Sequence, residues 1–126
     1  MQINYTRRGK GKPLLLIHGL GGSWQSWRPV LDALMAERSV VAIDLPGFGK
    51  SPPLAGRVTL DGLAEAVAGF LHMRNLSGID AVGSSLGARL VLELARRGGV
   101  LGAVVALSPS GFWTGLHRHS YLGAVW

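Results

Sequence analysis

Cysteine is absent from the 126-residue chain, so neither a disulfide nor a thiolate-held metal can form. Acidic residues are scarce: seven Asp and Glu stand against thirteen Lys and Arg, a net charge of +6, and none follows Glu93. The cations fall singly or in pairs (Arg7-Arg8, Arg96-Arg97), without a basic run or interleaved aromatics. Non-specific attraction to anions follows from that charge, but a nucleic-acid function does not. No stretch reaches the eighteen uncharged apolar residues that a membrane span needs, so no membrane partner is expected. Met1 to Arg8 has basic residues but no apolar core behind them, which is not the pattern of a signal peptide. With no cysteine either, the expected location is the cytoplasm. Charged residues make up only 16% against 48% hydrophobic, a balance expected of a segment whose strands and helices have further partners to pack on.

What is present alternates between the strand and helix periods. Residues 2–6 suit an edge strand. Residues 13–18 and 39–44, built on the aliphatic runs Leu14 to Ile17 and Val40 to Ile43, read as central parallel strands, buried on both faces. Between them Ser23 can cap a helix to Glu37, with Trp24, Trp27, Leu31 and Leu34 on one face. Trp24 and Trp27 suit that packed face better than a ligand cage. A Gly/Pro-rich loop over 45–58 leads to a second helix, Thr59 to Arg74, again with a capping Thr and with Leu60, Leu63, Val67 and Leu71 aligned. A short strand at 80–82, a helix from Leu86 to Arg97 and a strand at 100–107 complete the pattern. Such alternation predicts an α/β architecture, a mostly parallel sheet with right-handed crossovers and helices on both faces.

Three glycine-rich segments follow those strands. Gly83-Ser84-Ser85-Leu86-Gly87 has the Gly-x-Ser-x-Gly form, placing Ser85 on a sharp strand-to-helix turn where a hydroxyl is held exposed. His18-Gly19-Leu20-Gly21-Gly22-Ser23 follows Leu14 to Ile17. Asp44-Leu45-Pro46-Gly47-Phe48-Gly49-Lys50-Ser51 follows Val40 to Ile43. All three lie at the carboxyl ends of their strands, where ligands of parallel sheets sit. Gly47 to Ser51 is no phosphate loop, since its glycines are wrongly spaced.

Together the three motifs resemble the α/β-hydrolase superfamily, in its serine hydrolase and carboxylesterase branch, over nearly all of residues 1–113. The resemblance implies Ser85 as nucleophile and the backbone N–H groups of Leu20 and Leu86 as oxyanion hole. It gives His18, Gly19 and Asp44 supporting roles in the loops, with His18 as general base the alternative. It implies no cofactor and no metal. Relatives that dehalogenate or open epoxides carry an aspartate where this chain has Ser85, whereas cofactor-free haloperoxidases and acyltransferases share the serine. The family's cap, final strands, triad acid and triad histidine have no counterpart here, so the expected fold is a truncated α/β-hydrolase domain, its N-terminal half.

Serine needs a base to act at neutral pH. His72 reads as a surface or helix-capping residue. His117 and His119 lie in the apolar tail over 109–126, with Phe112, Trp113, Leu116, Tyr121, Leu122, Val125 and Trp126. They are either a solvated basic turn or the replacement base, from this chain or a neighbouring copy. The last strand is expected to leave an open apolar edge, a pairing hazard that predicts a homo-oligomer through that edge or the tail. Two functions follow: a serine esterase acting on a small-molecule ester, or a non-catalytic hydrolase fragment serving in assembly.

Overall fold

The computed structural model describes residues 2–108. The tail over 109–126, with His117 and His119, lies outside the described residues. Among the described residues nine elements follow one another: β1 (Tyr5–Arg8), β2 (Pro13–Ile17), a 3-10 turn (Trp24–Trp27), α1 (Arg28–Met35), β3 (Ser39–Ile43), α2 (Leu60–Met73), β4 (Ile79–Ser84), α3 (Leu86–Arg97) and β5 (Leu101–Leu107). The strands form one sheet in the order β1-β3-β2-β4-β5. Only β1 runs antiparallel, pairing Tyr5 with Ile43; the other three pairings are parallel. The expected mostly parallel sheet is therefore what the chain forms.

Both faces of the inner strands are covered, which explains their unbroken aliphatic runs. Leu15, Ile17, Val41 and Ile43 pack under α2 and α3 with Leu63, Val67, Leu71, Leu90 and Leu94. Leu14, Leu16, Val40 and Ala42 pack on the other face against Trp27 and Leu31. β5 is different. Leu101, Val104 and Ala106 join the first core, while Val105 and Leu107, on the opposite face by strand alternation, stay 51% and 45% exposed.

Two expectations need correction. The edge strand spans Tyr5–Arg8 and not 2–6. At Asn4 the ladder is only half kept: its carbonyl accepts the Asp44 N–H at 2.9 Å, but its own N–H turns to Ser51 Oγ and its side-chain amide to the Asp44 carboxylate. The helix expected over Ser23 to Glu37 is broken into a 3-10 turn and α1, with Pro29 near the start of the latter. Proline lacks the N–H that a continuous helix would need there. Ser23 still caps the turn, accepting the Gln25 N–H at 3.2 Å, and Thr59 caps α2.

Candidate functional site

The site is assembled at the carboxyl ends of β2, β3 and β4. Ser85 joins β4 to α3 with φ 58° and ψ −118°, a region that non-glycine residues rarely occupy. Holding such a residue there costs on the order of 1–3 kcal/mol and persists only where the surroundings enforce it. Three contacts do. The Ser85 N–H donates to the Leu107 carbonyl at 2.9 Å, and its own carbonyl accepts from Ala88 and Arg89. A Cβ on Gly83 would run into the Gly87 carbonyl, and one on Gly87 into the Ile17 carbonyl, so the turn can be this tight only with both glycines.

Gly19 lies against the serine. A Cβ there would fall 2.6 Å from Ser85 Cβ and 3.1 Å from Oγ. The loop after β2 therefore passes beside the Ser85 side chain, and Leu20, the next residue, is 76% exposed. Leu86 opens α3, so its N–H has no carbonyl one turn back to bond. Neither the Leu20 nor the Leu86 N–H donates to a loop or turn acceptor among the described residues.

His18 is fully buried. Its Nε2 accepts the Leu45 N–H at 2.9 Å, so Nδ1 carries the proton and donates to the Gly19 carbonyl at 2.7 Å. Burial lowers its pKa; the Gly19 carbonyl and the charge of Asp44 oppose that shift without cancelling it. Phe48 meets the ring edge-on, with centroids 5.5 Å apart. A neutral imidazole with both nitrogens engaged is a strut between two loops. It has no lone pair to offer as a base.

Asp44 holds the same two loops. Its Oδ1 accepts the Trp24 N–H at 2.7 Å. Oδ2 accepts the Lys50 N–H and the Asn4 side-chain amide, both at 2.9 Å. Burial pushes the carboxyl up, but these three donors outweigh it and leave Asp44 below its ordinary value. Ser51 Oγ adds a bond to the Asp44 carbonyl at 2.7 Å. The other acids nearest Ser85 in sequence are engaged elsewhere. Asp80 accepts from Arg38 and the Ala103 N–H at the far end of β4, and Glu93 is held by Arg96 and Arg97. His117 and His119 lie outside the described residues.

The structure thus brings His18, Gly19, Asp44 and Ser85 to one end of the sheet. Sequence reading missed Asn4, Ser51 and the Leu45 N–H. Ser51 stands inside a motif and could have been read as its closing hydroxyl, whereas Asn4 carries no local signal. Among the described residues no cluster of three or more His, Cys, Asp or Glu could hold a metal, and no helix is long and apolar enough to cross a membrane.

A doubly covered sheet with a strained serine at one strand end and a glycine loop beside it defines a class of hydrolase scaffold. The family model of the alpha/beta hydrolase fold matches residues 12–118, and the chain belongs to that family. Over 117 residues it is 38% identical to the dihydrolipoyllysine-residue acetyltransferase component of the acetoin cleaving system of Cupriavidus necator, covering 89% of this chain and 30% of that protein. It is 30% identical over 108 residues to the (E)-2-((N-methylformamido)methylene)succinate hydrolase of Acinetobacter baylyi, covering 80% and 41%. A solved marine microorganism esterase superposes with a TM-score of 0.76 at 25% identity, covering 82% of this chain and 40% of that one. The chain spans less than half the length of each of these relatives.

Proposed function

We propose that the chain carries the nucleophile and oxyanion loop of a carboxylesterase acting on short acyl or aryl esters. Ser85 Oγ attacks the ester carbonyl while a base takes its proton, and the alcohol leaves with a proton returned. Water then hydrolyses the acyl-Ser85 ester and restores the hydroxyl. The N–H groups of Leu20 and Leu86 face the oxyanion that forms in each step, and one such donor contributes about 3 kcal/mol. The observation that supports this reading is the backbone of Ser85, strained to φ 58° and pressed against Gly19. Relatives named as esterase and hydrolase support ester chemistry, and one named acetyltransferase makes acyl transfer to an acceptor other than water a close variant.

The base is the open position, since His18 is fully engaged. His119 or His117 fills it, in the same chain or from a second copy, and activity is then weak in the isolated monomer. A homo-oligomer formed through the β5 edge or the tail is part of this reading. The tight oxyanion loop alone leaves a rate enhancement on the order of 10³ over water. A second reading, an assembly domain with an inherited serine, is favoured by one observation: no unengaged carboxylate or imidazole stands beside Ser85 among the described residues. A fluorophosphonate probe followed by intact-mass measurement separates the two. One adduct that is lost in Ser85→Ala supports the esterase, and an unlabelled native protein supports assembly.

A further inference from the structure

A second concave region lies away from the serine, beside β1. A cleft of about 400 Å³ is lined by Gln2, Asn4, Tyr5, Lys50 and Arg74 among others. It adjoins a second cleft of about 440 Å³, which shares Gln2, Ile3 and Arg74 and adds Ala66, Phe70 and Met73. The first half is polar and cationic. The second is mainly apolar, and Met73 in its wall is 81% exposed.

The Arg74 guanidinium is held over two rings, 4.5 Å from the Tyr5 centroid and 4.9 Å from that of Phe70. Contact with both rings holds the guanidinium at this wall, and its N–H groups, which donate to no side chain or carbonyl among the described residues, are left for a carboxylate or phosphate. Neither Arg74 nor Lys50 has a carboxylate within ion-pair distance among the described residues. Among the described residues Glu65 is the one acid in either wall, and it lines the apolar half. The floor is rigid, since Asn4 and the Lys50 N–H are both bonded to Asp44. A preformed site loses less entropy on binding. The carbonyl end of α2 disfavours an anion by roughly half a charge, and two full positive charges outweigh it.

We infer that this double cleft binds a small amphiphilic anion, its carboxylate or phosphate between Lys50 and Arg74 and its apolar chain against Phe70 and Met73. The site is separate from Ser85 and needs no catalysis. Octanoate is the probe, titrated calorimetrically into the wild type, Ser85→Ala, Lys50→Glu and Arg74→Met, with melting curves for each. The expected result is equal affinity in the wild type and Ser85→Ala and at least tenfold weaker binding in Lys50→Glu and Arg74→Met. 1-Octanol and inorganic phosphate are each expected to bind at least tenfold more weakly than octanoate. Arg74→Met gives up its stacking, so Lys50→Glu, which removes no packing, decides if the former melts early. No binding, binding unchanged in Lys50→Glu, loss in Ser85→Ala, or phosphate alone binding as tightly as octanoate would each overturn the inference.

Discussion

Ser85 and Gly19 set the geometry at the residue scale. Because a Cβ on Gly19 has no room beside Ser85, Gly19→Ala must push the loop away and move the Leu20 N–H. Misplacement by about 1 Å is enough to cost on the order of 100-fold in rate. Ester hydrolysis in Gly19→Ala is therefore expected to fall by about that factor, while urea unfolding shows a loss of about 1–3 kcal/mol from overpacking. His18 and Asp44 make stability depend on pH in two windows. Burial holds His18 below its ordinary 6.5, so just under that pH the unfolded chain binds a proton that the folded chain refuses. Stability then falls as pH drops through 6.5. Asp44 sits below its ordinary 3.8, so its contribution is complete above that value and is lost below it. Urea midpoints are expected to be level from pH 8 to 7, to decline below 6.5 and to decline again below about 4. His18→Gln should lose the first decline and keep the second; an unchanged first decline would mean that His18 is not its source.

At the scale of elements, the sequence was legible wherever one local rule decided the outcome. Aliphatic runs of Val40 to Ile43 and Leu14 to Ile17, each ending in a glycine-rich loop, read as doubly buried strands, and Thr59 announces the start of α2. Where two rules compete, the local pattern misleads. The apolar face from Trp24 to Leu34 suggests one helix, but Pro29 breaks it. Residues 2–4 alternate like a strand, yet Asn4 is diverted by Asp44, forty positions away, a contact no local pattern displays. The Thr59 cap is open to test. Its side chain accepts the Gly62 N–H at 2.9 Å, and Thr59→Ala is expected to lower stability by about 1 kcal/mol in urea. A loss under a few tenths would mean that α2 is held by packing alone.

At the largest scale, the sheet gathers the candidate site at one end and, among the described residues, leaves one face of β5 uncovered. His18, Gly19, Asp44 and Ser85 could be assigned to a common end from strand order alone, because each follows a parallel strand. Their mutual contacts could not, since those depend on how closely three loops approach. Val105 and Leu107 form an apolar strip on an edge strand, and such an edge pairs readily with another copy. Sedimentation velocity at micromolar concentration is expected to show self-association, which Val105→Lys weakens by placing a charge on that strip. A purely monomeric wild type would remove the oligomer from this picture.

The proposed esterase activity depends on one oxygen atom, Ser85 Oγ. The most direct measurement is hydrolysis of p-nitrophenyl butyrate by the purified protein beside Ser85→Ala, at matched concentration and with both shown to be folded. The expected result is a measurable rate in the native protein that falls to the uncatalysed background in the variant. Equal rates in the two, or no rate above background in either, would contradict ester hydrolysis at Ser85 and leave the strained turn as scaffold.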